Sequence, residues 1–174
     1  AGQKNALKFI YPDYYHLFQN NKYSPWIAIN FELNDPFKTP LKWQNDMLGI
    51  NKNLQGFVNS QTQETKQNIL TMYMCYDNDE RNSLPPIINN PKGIIENAMG
   101  FLDEFFKENS ADKIKAAHLK IMGHAMPIPQ TNYLFNDRNV KTQKDNFFFA
   151  GTDNGRLPLM FEAMDSGISA ANYI

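Results

Sequence analysis

Cysteine is almost missing from this sequence: Cys75 is the only one in 174 residues. A single thiol excludes an internal disulfide and any thiolate zinc cluster. Arginine is scarce too, with three against fourteen dispersed lysines. Seventeen basic and eighteen acidic side chains leave a net charge of -1. That balance excludes a strong electrostatic footprint for nucleic acid. No apolar run reaches the ~18 residues of a membrane span, and no basic stretch followed by an apolar one opens the chain. The nine glycines never fall as GxGxxG or GxxxxGK, so no complete phosphate-cradling loop is present. His16, His118 and His124 match no metal-ligand spacing, and no carboxylate stands near them at one, so no metal is expected. The 22 asparagines are never more than two together, and no internal repeat shows. What remains is a soluble, cytoplasmic, globular piece.

A core is well supplied: 42 % of the residues are apolar, with thirteen Phe and eight Tyr. Residues 1–23 suggest one or two short helices interrupted by Pro12. From Ile27 to Leu33 the odd positions are apolar and the even ones small or polar, which predicts a half-buried strand. Shorter strands are expected at Gly56–Asn59 and Phe147–Gly151, and better ones at Asn68–Tyr76 and Lys113–Met122. Asp77–Asn82 reads as a charged turn, and Pro85, Pro86 and Pro91 predict an extended or looped 83–91. The clearest helix runs over 93–107. Ile94, Ile95, Ala98, Phe101, Leu102, Phe105 and Phe106 repeat at helical spacing, Asn90 is positioned to cap it, Pro91 opens it, and Asn109-Ser110 stops it. A last amphipathic helix covers 158–173. Strands and helices do not alternate strictly. The expectation is an α+β fold, a mixed or antiparallel sheet with helices on one face.

Chemistry concentrates near the C-terminus, from Phe147 to Ala171. An apolar strand delivers Gly151, where backbone can approach a ligand closely. Asp153 follows, an acid able to accept hydrogen bonds from sugar-like hydroxyls. The helix after Pro158 offers free N–H groups and a positive dipole end. Ala163, Ser166, Gly167, Ala170 and Ala171 let that helix pack against something flat. An ordinary strand–turn–helix, whose small residues serve only packing, is the alternative the residues leave open. Cys75 lies in the apolar run Met72–Tyr76 and reads as a buried thiol rather than a nucleophile.

The same segment resembles the second flavin-binding motif of FAD-dependent oxidoreductases of the amine-oxidase type: apolar strand, Ala-Gly, acid, loop, then a helix with Glu-Ala and a Ser-Gly … Ala-Ala tail. Three further stretches, Ser24–Asn30, Leu54–Val58 and Gly123–Pro127, are similar to substrate-domain segments of a bacterial branch of that family. The resemblance implies a substrate-binding-domain-like region over 1–145 and an FAD-binding strand–turn–helix over 146–174. It implies that Gly151 and Asp153 hold the ribitol–pyrophosphate side of FAD, and that the N–H groups of Leu159, Met160 and Phe161 face the flavin ring. His124 is the candidate for a base, with a structural histidine donating to backbone as the other reading, and Met126 and Phe161 stand beside the substrate. It also implies hydride transfer from a small-molecule substrate to flavin. Because GxGxxG is absent, it further implies a partner region: an N-terminal FAD-binding domain of the same protein. Leu159 holds the place of an aromatic wall that amine oxidases often have, which puts a two-aromatic amine cage in doubt. Arg156 reads as a solvated surface residue or as a partner for an anionic group, and Trp26 and Trp43 as pocket walls, with core packing the other reading of Trp26. The reading from a different class is a small non-catalytic α+β binding or interaction module.

Overall fold

A computed structural model describes residues 4–38, 44–46, 53–60, 67–131, 143–144, 147–155 and 157–172. The chain forms two compact units, residues 26–122 and residues 1–25 with 123–174. Five strands make one sheet: β1 (Lys22–Leu33), β2 (Gln44–Asp46), β3 (Leu54–Asn59), β4 (Ile69–Cys75) and β5 (Ile114–Ile128), in the order β2-β3-β4-β1-β5. The pairs β2–β3, β3–β4 and β1–β4 are antiparallel. Strict period-2 alternation fixes the register: Ile29 stands opposite Met72 and Phe31 opposite Leu70, all buried on one face.

That face meets α4 (Lys92–Phe106), whose Ala98, Leu102 and Phe106 share one core cluster with Ile27, Phe31, Phe57 and Met72. The expected α+β class is therefore what the structure shows, with the strands and the long helix near their expected places. Phe37 stacks on Phe106 at 3.9 Å and Phe57 meets Phe105 edge-on at 5.3 Å, so aromatic geometry locks the helix's last turn.

Several local expectations are corrected. Residues 83–91 are not extended: α3 (Leu84–Asn89) carries Pro85 and Pro86 in its first turn, where the missing N–H groups have no intrahelical partner anyway. The charged stretch before it is a 3-10 helix, Asn78–Ser83, with a capping box between Asp77 and Glu80. Asn90 does not cap α4. Its N–H closes α3 onto the Pro86 carbonyl, Pro91 takes the N-cap position, and no side chain caps the helix. Nor does Asn109-Ser110 stop α4. The stop is Lys107 at φ 56, a left-handed residue whose N–H reaches the Asp103 carbonyl. Asn109 instead caps the following 3-10 turn by accepting from the Ala111 N–H. A half-buried ion pair fastens this corner. Lys113 Nζ lies 3.1 Å from Glu108 Oε2 and donates to the Pro36 carbonyl, while Glu108 Oε1 accepts from the Lys38 N–H. Burial pushes the Glu108 carboxyl up, but these donors outweigh it and hold the carboxyl below its ordinary value.

Cys75 sits half-buried at the end of β4, and burial pushes its thiol up to about 12. Native protein at pH 8 should react with a thiol reagent far more slowly than urea-unfolded protein, measured by chromophore release. A rate equal to that of unfolded chain would show the thiol to be open to solvent. The raised value favours the protonated thiol. Its contribution to stability is present below about pH 9 and is lost as pH rises toward 12.

The second unit contains α1 (Lys4–Ile10), α2 (Pro12–Tyr15), a two-stranded ladder of β6 (Gln143–Lys144) and β7 (Phe147–Phe148), the one-turn helix α5 (Thr152–Gly155) and α6 (Met160–Ala171). The expected last helix therefore begins two residues later than its pattern suggested, after a separate turn. Tyr14, Phe18 and Phe149 form an aromatic cluster, with Phe149 5.6 Å from Tyr14 and 5.2 Å from Phe18.

Candidate functional site

Gly151 leaves β7 at φ +120, a conformation strained for any L side chain. A Cβ there would meet nothing within 4 Å, so backbone conformation, not crowding, requires glycine, and the space beside it is open. The Gly151 N–H donates to Ser166 Oγ at 3.2 Å, and Asn154 Nδ2 donates to the same oxygen at 3.1 Å. Ser166 is buried on α6. One of the small residues of the last helix thus pins the turn that carries Gly151, a role its sequence pattern did not announce.

Asp153 is half-buried on α5. Tyr23 Oη donates to its Oδ2 at 3.2 Å, and Asn21 Nδ2 donates to its backbone carbonyl at 2.8 Å. Tyr23 also meets the ring of His124 edge-on, with centroids 5.6 Å apart, and Lys4 Nζ lies 5.6 Å from its ring centre. Tyr23 therefore joins Asp153 to His124. Sequence reasoning named Asp153 and His124 but missed Tyr23, Asn21 and Lys4. Some 130 residues separate Tyr23 from Asp153, and no spacing rule links them.

Helix α6 begins at Met160 with Leu159 as its N-cap, in extended conformation and with no side-chain cap. Leucine has no acceptor to offer, so the first-turn N–H groups are left for water or a ligand. The helix also buries small residues and exposes several large apolar ones. Ser166 and Ala170 are buried, whereas Met160 is 73 % and Phe161 66 % exposed. Met164, Ile168 and Leu159 are exposed as well, which makes an apolar stripe. Leu157, just before it, is half-buried.

Trp26 is half-buried in the sheet unit and stacks on Tyr73 at 5.8 Å. Met126 is half-buried on β5. Trp43 and Arg156 lie outside the described residues. No group of three His, Cys, Asp or Glu arranged to hold a metal occurs among the described residues. Among them, too, no helix is long and apolar enough to cross a membrane. No protein-family model matches the chain, and no curated protein matches it either.

Proposed function

We propose that this chain is the substrate-binding and flavin-closing part of an FAD-dependent oxidoreductase of the amine-oxidase type. The observation that carries the reading is the turn from β7 to α6. A positive-φ glycine with open space beside it, an acid two residues on and an uncapped helix terminus follow within ten residues. These groups fit a cofactor that presents hydroxyls, phosphate and an electron-rich ring edge. The Gly151 backbone and the Asp153 carboxylate would hold the ribitol–pyrophosphate side. The Met160 and Phe161 N–H groups would meet the ring edge, where a positive dipole end favours negative charge. Flavin supplies the hydride acceptor; the protein supplies binding, orientation and electrostatics. His124, held edge-on by Tyr23, is the candidate for handling a substrate proton. The exposed stripe Met160, Phe161, Met164 and Ile168 is the surface for the FAD-binding domain of the same protein.

The test is the coding sequence upstream. The reading requires an apolar strand followed by GxGxxG, and an upstream sequence without it overturns the reading. A second expectation concerns the 174 residues alone. One carboxylate, one glycine backbone and one helix end are too few to offset the roughly 4–15 kcal/mol lost in immobilising a ligand as large as FAD. The isolated chain should purify colourless and show no micromolar FAD binding in an absorbance titration. A yellow protein would mean that the contacts of this half suffice.

A further inference from the structure

A cavity of about 290 Å³ lies between α1 and the segment from Phe149 to Asn154, within the second unit. Leu7 and Ile10 line it from α1, and Tyr11, Phe18 and Phe149 add three aromatic rings. Phe18 and Phe149 meet edge to face at 5.2 Å. Helix α1 buries none of its seven residues, and Ile10 is 65 % exposed. A helix this short is marginal unless packing supports it. The apolar surface of Leu7 and Ile10 beside the cavity is therefore surface that a guest would remove from water, to the benefit of both.

Three polar residues also line the cavity, and each is already engaged within the fold. Lys4 Nζ donates to the Gln19 and Asn21 carbonyls and lies over the Tyr23 ring. The Asp153 carboxylate accepts from Tyr23 Oη, and its backbone carbonyl accepts from Asn21. Asn154 Nδ2 donates to the Phe149 carbonyl at 3.3 Å and to Ser166 Oγ at 3.1 Å, which uses both amide hydrogens, and its Oδ1 is buried out of a guest's reach. Lys4 and Asp153 carry opposite charges, so a guest with a net charge gains from one and loses to the other. A charged or strongly polar guest would give up its water without a matching partner, which is costly. A nonpolar guest has no such cost.

Volume and walls name the class. A cavity of about 150 Å³ lined by apolar side chains takes benzene, so 290 Å³ has room for two fused rings. Aromatic walls favour a flat aromatic guest through offset or edge-on ring contacts. We propose that this cavity binds an uncharged, flat aromatic molecule of one or two rings, held by apolar burial against Leu7 and Ile10 and by ring contacts with Tyr11, Phe18 and Phe149, with no hydrogen bond required. The site stands whether or not the flavin reading holds.

The test is a titration of the 174-residue chain with indole, 1-methylindole, tryptamine and indole-3-carboxylate, read from the backbone amide NMR shifts. Indole should bind in the high-micromolar to low-millimolar range expected of so small a ligand, and should shift the amides of Leu7, Tyr11, Phe149 and Ala150. 1-Methylindole keeps the rings and lacks the donor, and it should bind at least as tightly as indole. Tryptamine and indole-3-carboxylate keep the rings and carry opposite charges at pH 7, and each should bind at least about ten-fold more weakly. Leu7→Glu puts a charge on the wall and should weaken indole at least about ten-fold. Phe9→Ser is the control: Phe9 is 82 % exposed on the same helix and outside the lining, so binding should not change. Should Leu7→Glu fail to fold, the wild-type shifts and the ligand series decide. No indole binding up to about 5 mM, indole shifts confined to α6, 1-methylindole about ten-fold weaker than indole, a charged analogue as tight as indole, or undiminished binding by folded Leu7→Glu overturns the proposal.

Discussion

Leu102→Ala should cost the sheet unit about 2–5 kcal/mol of unfolding free energy, the range for deleting a fully buried leucine side chain. Leu102 is 0 % exposed and sits one turn from both Ala98 and Phe106, in the cluster that joins α4 to the sheet. Its neighbours come from two kinds of element. The helix is tied down by aromatic contacts at its C-terminal turn, and the antiparallel strands are locked by their hydrogen-bonded register, so neither can close freely on the void. Poor relaxation pushes the cost toward the upper end of the range. Phe105→Ala is the internal control. Phe105 is 42 % exposed, and its main assets are edge-on contacts with Phe57 and Phe106, worth about 1 kcal/mol. Urea unfolding of both variants gives the comparison. Equal losses would mean that α4 does not bury the face assigned to it.

The two periodicities that place Leu102 and Phe105 are the part of this fold that is legible in the sequence. Period 2 from Ile27 to Leu33 and period 3.6 from Ile94 to Phe106 reflect one-sided burial, and one-sided burial is what the structure shows. Termini were less legible, for a physical reason. A proline is read as a breaker by default, yet Pro85 and Pro86 occupy the only helical turn that needs no donor from them. Asn90 has the right side chain for a cap, but α3 already uses its backbone. Lys107 ends α4 in a left-handed conformation that its residue type does not advertise. The candidate site was half legible. Gly151 and Asp153 stand out because their neighbours in sequence are also their neighbours in space. Tyr23, Asn21 and Ser166 do not, because only tertiary folding brings them to that turn.

Asp153→Ala is the substitution with the largest expected effect on function. If the proposed flavin reading holds, then in a protein that joins this chain to the nucleotide-binding region the reading requires, it should weaken FAD binding about ten-fold or more, since a hydrogen bond to a charged group is worth about 1.5–3 kcal/mol. The structure supplies a rival account that the experiment must separate. The carboxylate accepts from Tyr23 Oη at 3.2 Å, so its loss also removes a bond internal to the fold. Tyr23→Phe removes that internal bond while keeping both the ring and the acid. If Asp153 serves only the fold, both variants should lose stability, about 1.5–3 kcal/mol for a hydrogen bond to a carboxylate, and bind flavin equally well at temperatures far below unfolding. If the second carboxylate oxygen holds a ribitol hydroxyl, affinity falls in Asp153→Ala and stays near wild type in Tyr23→Phe. Asp153→Asn falls between them, because an amide still accepts a hydrogen bond but no longer carries the charge that strengthens it. Flavin fluorescence titrations of the three variants, each paired with a thermal melt, read out both quantities. Unchanged affinity in Asp153→Ala would remove this residue from the flavin site and leave Tyr23 and Asp153 as a structural pair that closes α5 onto the start of β1.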